Sequence, residues 1–242
     1  ASFDDVMASA SRLLGRHMAQ YLDVQARNTL SAATSAVFGY DRSGVQGIND
    51  WYNEGDVATA FSDLDGNYKL TTGAVKDAAL TLAGKNIPRL GETYVMFVHP
   101  KQSRDIRSNP EFIEVTKYAA PGNFMLGEIG RLYDVVFIET TQVLKVAGGA
   151  GSGYTADTAV ANPTVVPGGG YTTPATFTGN GAADRYSAIM IGDNAFGHAI
   201  SLPVELRDGG ILDFGREHAL AWYSIFGLGL ITDQSVIIAE TN

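Results

Sequence analysis

Residues 2–30 read SFDDVMASASRLLGRHMAQYLDVQARNTL. Apolar side chains fall at Phe3, Val6, Met7, Ala10, Leu13, Leu14, Met18, Tyr21 and Leu22, the i, i+3, i+4 rhythm that gathers one stripe on one face of a helix. Ser2 suits the N-cap, and Asp4 and Asp5 lie in the first turn, where the helix dipole favours anions. Asp23 and Arg27 are spaced to pair at i, i+4. A helix running to about Leu30 would be roughly 40 Å long at ~1.5 Å per residue, well beyond the ~11–12 residues of an average helix. A helix of that length is a strut.

The rest of the chain alternates less regularly. Residues 38–70 are turn-rich, and a second helix is predicted from Thr72 to Ala83 with Gly84 as its stop. Thr93–Val98 (TYVMFV) reads as a buried strand ended by His99-Pro100, and Asp134–Thr140 (DVVFIET) as another. Between them, Asn109-Pro110 is expected to start a short helix, EFIEVTKYA. Residues 147–183 hold nine Gly, seven Thr, three Pro and one charge, Asp157, and read as a long surface flap between two strands. Arg185–Ile191 is a strand, a turn of helix is expected around Asn194–His198, and Glu217–Glu240 reads as extended strands broken near Gly227 and Gly229. One long helix, unequal elements and a loop-rich middle give an α+β fold.

Composition narrows the function. Charged residues make up 18% of the 242, below the usual ~25%, and Gly is abundant at 28 residues. A lone soluble monomer carries more charge to keep its surface wet, so part of this surface is expected to lie under neighbours. Seventeen basic against 26 acidic residues give a net charge of −9, which argues against gripping nucleic acid by its backbone. The absence of Cys excludes disulfides and thiolate metal sites. No apolar run approaches the ~20 residues of a membrane span, and no signal peptide is visible.

No motif makes a convincing active site. Gly149–Gly153 follows a strand but precedes no helix whose N-terminus could hold a phosphate, and Gly168–Gly170 lacks the Lys and Ser/Thr of a P-loop. Asp63-Leu64-Asp65-Gly66-Asn67 imitates the middle of a calcium loop, but Thr72 stands where a bidentate Glu is needed, so a plain Asp-Gly turn is the better reading. His17, His99, His198 and His218 form no local cluster. Glu111 with Glu114, or Glu128 with Glu139, read as solvated or ion-paired carboxylates rather than an acid–base pair. The expectation is no catalytic, cofactor-binding or metal-binding residue, and no cofactor.

Several ordered blocks carry a resemblance. Gly91 and Tyr94, then His99-Pro100 and Asp105-Ile106-Arg107, form a strand, His-Pro turn and D-[LI]-R helix. Gly127-Glu128-Ile129-Gly130 precedes Val136-Phe137-Ile138-Glu139-Thr140; Gly192-Asp193-Asn194-Ala195-Phe196-Gly197 gives a G-x-x-A-[FY]-G turn; and Gly215, Trp222, Phe226, Leu230-Ile231 and Asp233 close the series. Over about residues 91–235 the chain resembles the major capsid proteins of tailed bacteriophages, in the branch related to the N4-like phages, with the HK97-like capsid fold. Arg216-Glu217-His218 departs from that family's Gln-Arg-Gly.

The resemblance implies a structural subunit, not an enzyme, that self-assembles as hexamers and pentamers into an icosahedral phage shell enclosing double-stranded DNA. It implies a peripheral domain over residues 1–92 with the spine helix, completed by about 205–226. The axial domain would take residues 93–204, with the 147–183 flap as an insertion, completed by about 227–242. Its partners would be copies of itself, with scaffolding, portal and decoration proteins as further candidates, packaged DNA without specific binding, and no membrane. An acidic inner wall repels packaged DNA. The rival readings are an encapsulin-like nanocompartment, a soluble hydrolase with an unrecognised site and an all-β decoration protein. The family's arm and β-hairpin ahead of the spine helix are not visible before Ser2, so the native product is expected to be longer at its N-terminus, and residues 1–242 to fold but assemble poorly. Trp222, alternating with Leu220 and Phe226, is expected to be buried, and the flap to tolerate shortening.

Overall fold

The computed structural model describes residues 3–42, 56–58, 64, 67–109, 130–147, 155–156, 184–212 and 217–242. The first helix, α1 (Phe3–Leu30), has the length that its apolar rhythm predicts. Short strands β1 (Ala36–Phe38), β2 (Tyr40–Asp41) and β3 (Tyr68–Lys69) lead to α2 (Thr72–Gly84). The Thr71 hydroxyl caps α2 by accepting from the Ala74 amide. The helix stops just past Gly84 without using it as a left-handed cap: the positive φ falls two residues later, at Asn86.

β4 (Tyr94–Val98) runs into α3 (Pro100–Arg107) through the His-Pro pair. His99 is the N-cap, accepting from Lys101, while the Gln102 side chain accepts from the His99 amide, and Pro100 occupies the first turn, where its missing N–H costs nothing. The helix expected after Asn109-Pro110 lies outside the described residues. β5 (Arg131–Leu132) and β6 (Val135–Glu139) follow, joined by a turn with Tyr133 and Asp134 both at positive φ.

β7 (Leu144–Ala147), β8 (Thr155–Ala156) and β9 (Arg185–Ile191) complete the middle of the chain. The expected flap therefore begins as an antiparallel pair, Val146 to Ala156 and Ala147 to Thr155; its remainder lies outside the described residues. The turn of helix expected at Asn194–His198 does not form. Asn194, at φ 53°, closes a tight turn, and Phe196 starts β10 (Phe196–Leu212). β11 (Glu217–Leu230) runs unbroken through Gly227 and Gly229, which keep ladder partners Ala199 and Gly197. The break comes later, at a single 3-10 turn, Asp233–Ser235, before β12 (Val236–Thr241).

Eight strands form the main sheet, in the order β1-β12-β9-β4-β6-β5, with β7 and β8 continuing from β9. β4 and β6 are parallel, as are β1 and β12; β9 pairs antiparallel with β12, β4 and β7. On one face Leu70, Ala74, Val75, Ala78 and Leu82 pack on Met96, Phe137, Met190 and Ile237. On the other, Leu30, Ile189, Ala195 and Val236 form a smaller cluster beneath the end of α1.

β10 and β11 form a separate two-stranded antiparallel ribbon that packs on α1. Three chain segments join ribbon and sheet side by side. Gly192 donates to the Ser235 carbonyl at 2.9 Å, Ile231 donates to the Ala195 carbonyl at 3.1 Å, and Thr34 donates through its amide, at 3.0 Å, and its hydroxyl to Asp233.

Candidate subunit interface

The α1–ribbon unit is held by an aromatic row. Tyr21 lies 5.6 Å from Trp222 and 6.4 Å from Phe226, ring centre to ring centre, and His198 meets Phe226 edge-on at 5.9 Å. The Trp222 indole donates to His17 Nδ1 at 3.3 Å. Exposure along β11 alternates strictly from Glu217 to Leu228, so Leu220, Trp222 and Phe226 share the helix-facing side as expected. Trp222 is half-buried rather than buried, because a single helix covers a strand face that a second layer would otherwise seal.

Where α1 crosses the sheet, a cleft of about 450 Å³ opens between Ala26, Arg27 and Leu30 of the helix and Phe97, Ile138 and Ile189 of the sheet. Arg27 is buried there and donates to the Gln142 carbonyl at 3.2 Å and to the Asn28 side chain. Glu139 at its rim faces Arg107 at 3.8 Å. The cleft presents one buried guanidinium tied to a carbonyl, an arrangement that fixes the helix on the sheet.

The four histidines go to four different places. His17 touches Trp222, His99 caps α3 and stacks on Tyr186 at 4.4 Å, His198 meets Phe226, and His218 pairs with Asp208 at 2.5 Å across the ribbon. Burial lowers the His99 pKa, helped by Lys145 and Lys101. The Gly210 amide, then His218, hold Asp208 below its usual value. Burial raises Asp105. Among the described residues no three His, Asp or Glu side chains gather into a metal-binding group. Glu111, Glu114 and Glu128, the Gly149–Gly153 and Gly168–Gly170 runs, Asp63 and Asp65 lie outside the described residues. No described helix is long and apolar enough to cross a membrane.

One buried carboxylate escaped the sequence reading. Glu240, on β12 opposite Ser187 of β9, is 2% exposed, and burial pushes its pKa up to about 7 against the pull of a Ser187 hydrogen bond and the Arg185 charge. Nothing in VIIAET itself assigns it a face; the register with β9 places it inside.

A model of the phage capsid protein family matches residues 67–229, which takes in α2, most of the main sheet and nearly all of the ribbon. The chain belongs to the phage capsid protein family. Solved phage capsids share its fold. The capsid of Ralstonia phage GP4 superposes with a TM-score of 0.63 at 15% identity, over 98% of this chain and 67% of that one. The capsid of Helicobacter pylori bacteriophage KHP30 gives 0.65 at 12%, over 98% and 69%, and that of cyanophage Pam1 0.63 at 14%, over the same shares. This chain therefore spans about two thirds of the length of these relatives. No curated protein sequence matches it. The α+β, HK97-like capsid fold expected from the sequence blocks is the fold observed, and the phage capsid protein's place is the virion shell.

Proposed function

We propose that this capsid protein is the major shell subunit, assembling through hexamers and pentamers into an icosahedral lattice around double-stranded DNA. The family match over residues 67–229 is the observation that carries the reading. A net charge of −9 supports an inner wall that holds DNA without binding it. The working parts are contacts between copies rather than a catalytic centre. Portal, scaffolding and decoration proteins are proposed as further partners, and kinship with the N4-like branch is proposed on the motif blocks alone.

A peripheral and an axial domain, expected at 1–92 with about 205–226 and at 93–204 with about 227–242, remain a proposal, and the packing of the described elements supports moving their bounds. α1 and the ribbon, Phe196 to Leu230, make the peripheral unit. The main sheet with α2 and α3 makes the axial unit, since α2 shares a core with β4, β6 and β9. Negative-stain electron microscopy of the concentrated native gene product tests the reading: closed particles of uniform diameter are expected, and a field of isolated subunits at every concentration would refute it.

A further inference from the structure

The exposure of β11 alternates, yet its polarity does not. Glu217-His218-Ala219-Leu220-Ala221-Trp222-Tyr223-Ser224-Ile225-Phe226-Gly227-Leu228-Gly229-Leu230 holds one Asp, Glu, Lys or Arg, Glu217. A strand with one wet face reads hydrophobic-in, polar-out; a strand apolar on both faces is built to be covered on both. Among the described residues the Trp222 face is the one covered by a helix, α1. The opposite face leaves Tyr223 42% and Ile225 48% exposed, flanked by Ala219 and Ala221. Of the fourteen large hydrophobic side chains exposed among the described residues, eight lie on α1 and the ribbon, so the uncovered apolar surface is concentrated on this one unit.

The other strand adds no net charge to this face. Leu202 lies opposite Ile225, Glu205 opposite Tyr223 and Arg207 opposite Ala221. Glu205 and Arg207 form an ion pair with each other, and the guanidinium sits 4.3 Å above the Tyr223 ring. Two glycines extend the face. A Cβ at Gly227 or Gly229 would meet nothing within 4 Å among the described residues, and neither has positive φ, so neither backbone geometry nor described packing calls for glycine there. Glycine inside a strand weakens it and commonly marks close approach by another backbone.

We infer that the outer face of the ribbon, centred on Tyr223 and Ile225, is seated against a second copy of this chain. This rests on the shell reading and names the surface that serves it. Copies that each carry −9 repel, and they meet at lower cost across a face whose one unbalanced charge, Glu217, stands at its far end from Ile225. Fourteen residues at ~3.4 Å and two strands about 4.8 Å apart give a face on the order of 500 Å². A stable pairwise interface covers about 800 Å² per partner, so this contact is weak alone and suits an assembly that repeats it.

The chain has no cysteine, so Ile225→Cys creates a single thiol whose maleimide labelling reports cover. Labelling at near the unfolded rate is expected in dilute subunits, with at least about tenfold slowing once the protein assembles. Tyr223→Glu with Ile225→Glu should raise the concentration needed for assembly at least about tenfold, with the melting temperature of the dilute subunit unchanged. Fast labelling in assembled particles, or assembly of the double variant at the parental concentration, overturns the inference and leaves the shell reading standing. Slow labelling in dilute single subunits overturns it too, since the chain would then cover the face itself. A native gene product that stays single at every concentration overturns both.

Discussion

Glu240 ties a single side chain to the stability of the whole sheet. Its carboxyl moves from an ordinary value of 4.5 to about 7 on folding because burial penalises the charged form. Between those values the folded chain holds a proton that the unfolded chain has released, so this group stabilises the fold fully below pH 4.5 and progressively less as the pH rises to 7. At ~1.4 kcal/mol per pH unit, the change across that window is about 3 kcal/mol. Glu240→Gln should flatten this part of the profile in urea unfolding measured pH by pH, while an unchanged slope would locate the effect elsewhere. Gly192 makes a second prediction at this scale. A Cβ there would stand 2.5 Å from Ile87 Cγ2 and 3.1 Å from the Pro88 carbonyl, which itself accepts from the Asp193 amide. Gly192→Ala should cost about 1–3 kcal/mol by overpacking, read as a lower denaturation midpoint at unchanged slope. The sequence marked Gly192 only as part of a turn motif; the reason lies in residues a hundred positions earlier, which no local pattern exposes.

At the scale of elements, α1, α2, β4, β6 and β9 were legible because each carries its own evidence: helical or alternating periodicity, a cap, or a turn residue at its end. His99-Pro100 was read as the end of β4 and is also the start of α3, since a capping residue stops one element by starting the next. β10 was not legible. Phe196–Leu212 holds a Pro and three Gly and is interrupted by register shifts after Ile200, Leu202 and Asp208, so no even period survives in the sequence. β11 was cut too early because Gly227 and Gly229 look like breakers, whereas their ladder partners hold them extended. The cover of Trp222 shows the same limit: alternation predicts which residues share a face, and only the packing of α1 decides how deeply that face is buried. Trp222→Ala is accordingly expected to cost about 2 kcal/mol, below the ~3–5 of a fully buried aromatic, and to loosen α1 from the ribbon. Hydrogen exchange localises the effect. Faster exchange confined to residues 14–26 and 196–230 is expected; uniform acceleration across the main sheet would place Trp222 in the central core instead.

At the scale of the molecule, two units of different construction share one chain. The main sheet carries α2 on one face and the end of α1 on the other, and its central strand β9 is buried nearly throughout. The α1–ribbon unit is one helix on two strands, and its ribbon would be marginally stable in water without the helix. Its low charge and bare apolar face were foreshadowed by composition, which already suggested a surface lying under neighbours. That separation of a self-sufficient sheet from an underprotected ribbon is what a protein whose work is contact with its own copies requires. Sedimentation velocity of the purified native gene product, from micromolar to millimolar concentration, tests that claim most directly. The account predicts single subunits when dilute, giving way at the high end to one large, discrete species with few intermediates. A single-subunit boundary at every concentration would contradict it.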